Sequence, residues 1–307
     1  MPQLVLKVDV DTYRGTRIGV PRLVELLRRY AADATFLFSL GPDHTGRAIK
    51  RAFRPGFMQK VSRTSVLSHY GLRTLMYGTL LPGPDIGRRC ADLLCGVRDA
   101  GFETGIHCWD HIRWQDGVRG EDRAWTERQM VLAVDRYADL FNAAATVHGA
   151  AGWQMNQHAL RLTRDLGFTH ASDCRGWRPF IPMWNGEEVN VPQLPTTLPT
   201  LDELIGVDGL DEKNVHEHLL SLTREAPATG HVFTLHAELE GMKLLPVLDK
   251  LLLGWQQQGY TLVALRQLRA GLDPATLPRH EMIWGTVPGR SGELLVQGRE
   301  RRCEVPS

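Results

Sequence analysis

The sequence has no apolar run approaching the ~20 residues that a helix needs to cross a bilayer. Its start, Met1-Pro2-Gln3-Leu4-Val5-Leu6-Lys7-Val8-Asp9, is broken by charge too early for a secretory leader, so neither a spanning nor an exported protein is expected. Cysteine is scarce: five residues at irregular spacing give no disulfide framework and fit thiols kept reduced in a cytoplasm. Neither sign of charge prevails, with 36 Lys+Arg against 35 Asp+Glu, which removes any global pull toward nucleic acid. There is no internal repeat and no low-complexity segment, so a solenoid or a disordered chain is not expected.

What is present is 307 residues with 43% hydrophobic content, enough for one sizeable α/β core. Short apolar runs at 4–10, 34–40, 104–109, 146–150, 169–172, 231–236 and 260–264 read as strands. Between them, 20–31, 86–100, 123–141, 157–166, 211–224 and 243–258 read as helices, with Pro21 suited to a first turn. Such alternation predicts a parallel sheet with helices outside. Seven strands, most ending in polar residues, favour a barrel or an incomplete barrel over an open sheet. A proline-marked stretch (Pro179, Pro182, Pro192, Pro195, Pro199) reads as irregular, and the glycine- and proline-bearing tail from Leu272 is expected to end in mobile residues.

One segment lacks acid altogether. Between Asp43 and Asp85 there is no Asp or Glu, while Arg47, Lys50, Arg51, Arg54, Lys60, Arg63 and Arg73 lie among Phe53, Phe57, Leu67, Tyr70, Leu75 and Leu80. An insertion of this length after the second strand suits an element resting on an anionic membrane or covering a lipid-like anion. A helical excursion with a solvated basic face explains the composition equally well.

The chemistry-bearing pattern begins with Gly105-Ile106-His107-Cys108-Trp109-Asp110-His111. Two imidazoles four residues apart share a face if the chain turns helical just after the strand, which suits a divalent ion. Asp9 and Asp11, two apart on a strand, point the same way at the sheet's C-terminal end. Two carboxylates so close resist joint ionisation unless a cation lies between them or one keeps a proton. A metal on Asp11, His107 and His111, with Asp9 left free as a base, satisfies this condition. A loop-capping aspartate paired with Lys7 or Arg14 is the plainer alternative, and Lys7 shares the parity of both aspartates. His236 closes an apolar strand, 232–236, at the same edge.

These residues resemble the polysaccharide deacetylase superfamily, the NodB homology domain. Val8-Asp9-Val10-Asp11-Thr12, His107-x-x-x-His111 and Leu235-His236 are similar to its first, second and last motifs. The resemblance implies a distorted, incomplete (β/α) barrel of about seven strands, with Asp9 as general base, Asp11 as metal ligand and His236 as general acid. It also implies that residues 1–270 form the barrel, including the basic, apolar insertion at 44–85, and that 271–307 form a C-terminal extension.

Further blocks, among them Ala150-Ala151-Gly152-Trp153, Ser172-Asp173-Cys174-Arg175-Gly176, Pro195-Thr196-Thr197-Leu198-Pro199-Thr200 and Leu235-His236-Ala237-Glu238, resemble one branch of that superfamily. This branch deformylates undecaprenyl-phosphate-linked 4-deoxy-4-formamido-L-arabinose, in lipid A modification and polymyxin resistance. By that resemblance the substrate is a lipid-linked amino sugar, met by a peripheral protein on the cytoplasmic face of the inner membrane, with Lys50, Arg51, Arg54 and Lys60 as lipid-phosphate or membrane contacts. No nucleic-acid partner is implied, and the oligomeric state is left open. Two histidines and a carboxylate fit Zn²⁺ first, with Co²⁺, Mn²⁺ and Fe²⁺ open.

The pattern departs from the superfamily in two ways. Val10 separates the aspartates, which are adjacent there, and 150–153 lacks the arginine that its third motif places near the base. Arg175, beside Asp173, is a candidate for that charge, Trp153 is a candidate for stacking on a sugar face or for the core, and Glu238 for support of the site. The competing functions are another carbohydrate N-deacetylase of the superfamily and a non-catalytic lipid- or sugar-binding barrel.

Overall fold

The structure, a computed structural model, describes residues 1–48 and 73–301. Lys50, Arg51, Arg54 and Lys60, and with them most of the basic insertion, lie outside the described residues, as do 302–307 at the end of the tail.

The first sheet has seven strands: β1 (Gln3–Val10), β2 (Thr35–Ser39), β3 (Glu103–Cys108), β4 (Val147–His148), β5 (His170–Ala171), β8 (His231–His236) and β9 (Thr261–Val263). Their order is β5-β4-β3-β2-β1-β8, with β9 also on β1, and every pairing is parallel. It curls into the incomplete barrel expected from the strand–helix alternation. From Leu4 on, β1 is continuously apolar apart from Lys7 and Asp9, because a central parallel strand is covered on both faces.

Helices α1 (Val20–Arg29), α2 (Ile86–Arg89), α3 (Ala91–Asp99), α4 (His111–Gly117), α5 (Arg123–Phe141), α6 (Gln157–Asp165), α7 (Leu201–Leu204), α8 (Val215–Leu222), α9 (Leu245–Gln257) and α10 (Leu265–Ala270) complete this layer. In α1, Val20, Leu23, Leu26 and Leu27 form the buried stripe. α5 begins where Asp122 accepts a hydrogen bond from Trp125 N at 2.8 Å and ends at Asn142 in the left-handed region. The single helix expected over 86–100 is broken at Cys90.

The proline-marked stretch read as irregular contains strands, and so does the tail. β6 (Ile181–Trp184) and β7 (Glu187–Glu188) form a hairpin across Asn185-Gly186, both at positive φ, the pair favoured by a two-residue type I′ turn. β10 (Arg279–Gly285) and β11 (Leu294–Arg301) from the tail join them in a second, four-stranded sheet ordered β11-β10-β6-β7. Proline and glycine punctuation masked these short strands, and the pairing of β10 with β6 joins segments distant in sequence. No described helix is long and apolar enough to cross a membrane.

Candidate active site

Parallel strands deliver the reactive side chains to one edge. Asp9, next to last in β1, is the register partner of His236, the last residue of β8. On its other side Asp9 pairs with Leu37 of β2, and Leu37 with Gly105 of β3, so His107 emerges two strands away and further toward the C-terminal edge. After β3 the chain turns into α4, capped by Asp110, whose Oδ1 accepts from Arg113 N at 3.1 Å. Asp110 Oδ2 lies 2.6 Å from His44 Nδ1, which braces the cap from the loop after β2. His111 is the first residue of α4, and its ring centroid lies 5.3 Å from that of His107.

Asp11, His107 and His111 each offer a donor atom, all within 4.8 Å of one another. His107 Nε2 is 3.2 Å from Asp11 Oδ1, and His111 Nε2 is 3.3 Å from Asp11 Oδ2. Two features fit this trio to a divalent ion. His107 Nδ1 lies 2.6 Å from Gly149 O, and because a carbonyl only accepts, Nδ1 carries the proton and Nε2 can present its lone pair to the site. Among the described residues Asp11 Oδ1 is buried without a well-aligned hydrogen bond, as an oxygen reserved for a cation would be.

Asp9 stands outside that trio. Its Oδ2 is 3.3 Å from Nζ of the fully buried Lys7, and its Oδ1 is buried without a hydrogen-bond partner among the described residues. The shared parity of Lys7 and the aspartates thus has a structural meaning, since the ammonium neutralises Asp9 from one residue-pair below. Arg175 does not supply this charge. Its Nη1 donates to Glu203 Oε1 at 2.5 Å and its Nη2 to Leu198 O at 2.9 Å. Nor does Trp153 offer a sugar platform: it is 1% exposed, with Lys7, Arg175 and Arg290 around its ring. Asp173 is fully buried, accepting from Ala150 N at 2.9 Å and Gln193 Nε2 at 2.8 Å and lying 2.7 Å from His148 Nδ1. That is the work of a brace between β4 and the loop after β5.

Glu238 ties the two halves of the edge together. Its Oε1 accepts from Asp11 N at 3.1 Å, Thr12 N at 2.7 Å and Thr12 Oγ1 at 2.8 Å. The approach requires Gly15, because a Cβ there would lie 2.0 Å from Glu238 Oε1. Glu240 Oε2 accepts from His236 N at 2.7 Å and fixes the strand end that carries the histidine. Glu240, Glu203 and Arg290 escaped sequence reading, whereas Lys7 entered it as a partner for an aspartate; the Glu-x-Glu that follows His236 was the one local signal for Glu240.

Electrostatics separate these carboxyl groups. Burial pushes Asp11 up, but His111, His107 and His236 together outweigh it and hold the carboxyl well below its usual range. Glu238 is driven well above its usual range, by burial first and then by the Asp11 charge, so the two carboxyl groups are pushed in opposite directions. Burial pushes Glu240 up to about 7 against the pull of His236. For His107, burial opposes the charged form, but Asp9 and Asp11 prevail and raise its pKa.

A curled parallel sheet with this Asp/His/His trio at its C-terminal edge defines the class, a chain with the polysaccharide deacetylase fold. A Mycobacterium smegmatis protein described as a polysaccharide deacetylase superposes with a TM-score of 0.61 at 13% identity, over 93% of this chain and 96% of that one. A family 4 acetyl xylan esterase from Clostridium thermocellum, solved in complex with a cobalt ion, gives 0.51 at 11% identity, over 90% and 97%. These likenesses are of fold. No family model matches the chain.

In sequence the chain is 36% identical over 294 residues to the probable 4-deoxy-4-formamido-L-arabinose-phosphoundecaprenol deformylase ArnD of Shewanella sediminis, covering 95% of this chain and 93% of the relative. The protein of the same description from Wigglesworthia glossinidia brevipalpis is 30% identical over 285 residues, or 92% and 98%. The chain therefore belongs to the family of 4-deoxy-4-formamido-L-arabinose-phosphoundecaprenol deformylases, hydrolases of an amide C–N bond.

Proposed function

We propose that this protein removes the formyl group from undecaprenyl-phosphate-linked 4-deoxy-4-formamido-L-arabinose, with Asp9 as general base, His236 as general acid and one divalent ion on Asp11, His107 and His111. The observation that carries the reading is the juxtaposition on β1 and β8: Asp9 and His236 are register partners, beside the trio of potential ligands. Zn²⁺ suits two imidazoles and one carboxylate, with Co²⁺, Mn²⁺ and Fe²⁺ as alternatives. A divalent ion there supplies polarisation of the amide carbonyl and a lowered pKa for water.

The chain's own groups do the rest. Asp9, neutralised by Lys7 and free of the ligand set, takes the proton from water as its oxygen attacks the formyl carbon. His236, held at the strand end by Glu240, gives a proton to the departing nitrogen, because an amine leaves poorly as an anion. The C–N bond breaks, and formate and a free amino sugar result. That amine is positively charged at neutral pH, which fits the proposed place of the reaction in lipid A modification and polymyxin resistance.

The lipid-linked substrate in the relatives' names supports a peripheral position on the cytoplasmic face of the inner membrane. We assign residues 1–270 to the barrel and 271–307 to an extension, and the insertion with Lys50, Arg51, Arg54 and Lys60 to contact with membrane or lipid phosphate. The test is formate release from the lipid-linked formamido sugar against acetate release from its acetylated analogue. Strong preference for the formamide is expected; equal or reversed preference would make the protein a general N-deacetylase.

A further inference from the structure

The connection from β10 to β11 reaches back to the candidate active site. Its tip is pressed onto α7: Gly289 has φ +80°, and a Cβ there would lie 2.1 Å from Glu203 O. The next residue, Arg290, is aimed inward. Its Nε donates to Glu203 Oε1 at 2.7 Å, its guanidinium lies 4.3 Å from the Trp153 ring centroid, and Asp202 Oδ2 is 3.9 Å away. On the same indole, 5.2 Å from its centroid, sits Nζ of Lys7, the ammonium that neutralises Asp9. Asp11 is within electrostatic reach of Arg290.

Glu203 Oε1 already accepts from Arg175, so two guanidinium groups share one carboxylate oxygen. A guanidinium has five N–H donors, and among the described residues Arg290 spends one of them in a hydrogen bond. Its side chain keeps 13% exposure, so it is neither sealed in the core nor loose on the surface. The result is a cation with oriented, unspent donors, on the same indole as Lys7, the partner of the general base.

We propose that Arg290 receives the phosphate of the substrate, across the sugar ring from the amide undergoing hydrolysis. The assignment rests on the deformylase reading, in which the pentose carries a phosphate at one end and the formamide at the other. A planar fork fixed by Glu203 and Trp153 suits bidentate contact with phosphate oxygens. The C-terminal extension thereby becomes the wall that selects phosphorylated sugars, which gives β10 and β11 a reason to fold back over the barrel edge.

The test compares the wild-type protein, Arg290→Gln and Arg290→Lys in two measurements. The first is equilibrium binding of L-arabinose 1-phosphate against L-arabinose, which involves no turnover. Wild type should prefer the phosphorylated sugar, Arg290→Gln should lose about 10- to 100-fold of that preference, and Arg290→Lys should recover part of it. Equal preference in wild type and Arg290→Gln would overturn the assignment and leave Arg290 as a brace for Glu203. The second is formate release from the lipid-linked formamido sugar. Arg290-dependent binding of the sugar phosphate without formate release by wild type would keep the phosphate site and discard the deformylase reading.

Discussion

Lys7 and Asp9 form an ion pair, 3.3 Å from Nζ to Oδ2, in which the lysine is fully buried and the aspartate side chain is 4% exposed. Removing one partner of such a pair leaves an uncompensated buried charge, at a cost of about 3–5 kcal/mol. Lys7→Met should therefore destabilise the fold by that order and lower kcat at least about 10-fold. Lys7→Arg, which keeps the charge, should retain more of both. Urea unfolding and initial rates check this, and wild-type turnover in Lys7→Met would remove Lys7 from the site.

Burial and the Asp11 charge favour the neutral form of Glu238, so glutamine is the uncharged isostere that tests it. Glu238→Gln keeps an acceptor for Asp11 N, Thr12 N and Thr12 Oγ1 and should change stability by less than about 1 kcal/mol. Glu238→Ala strands all three donors and should cost several kcal/mol, at about 1–3 for each buried unsatisfied group. Denaturant midpoints of the two variants should separate clearly, and indistinguishable midpoints would show that the clamp is weak.

Glu240 makes stability depend on pH. Its carboxyl is pushed up to about 7 in the folded protein from an ordinary value of 4.5, so the unfolded chain gives up this proton first. The stabilisation is complete below pH 4.5 and is lost as pH rises toward 7, by at most about 3 kcal/mol. Glu240→Gln still accepts from His236 N but cannot ionise. Relative to wild type, it should gain stability between pH 4.5 and 7.5 in urea titrations, and a pH-independent difference would contradict the shift.

His236 lies outside the ligand trio, and its Nδ1 is buried without a hydrogen-bond partner among the described residues. His236→Ala should lower kcat by about 10²–10⁴-fold while leaving metal content unchanged. A variant that instead lost its metal would make His236 a ligand rather than a proton donor.

Much of the site was legible because its geometry follows from strand periodicity. Asp9 and Asp11 share a face by alternation, and His107 and His111 meet because the chain turns helical at Asp110. The long-range partners were not legible. The parity of Lys7 placed it beside Asp9, but nothing in the sequence said that it would be sealed there, or that Arg175 would turn away to Glu203. β10 and β11 were read as a tail because the pairing of β10 with β6, which ties them to the rest of the sheet, joins segments about a hundred residues apart, which no local pattern encodes.

Metal stoichiometry tests the centre most directly. Elemental analysis of the purified wild-type chain should give one divalent ion per molecule, and Asp11→Asn and His107→Ala should each lose most of it along with formate release. A wild-type chain that deformylates its substrate without bound metal, or an Asp11→Asn chain that keeps a full equivalent, would contradict the assignment.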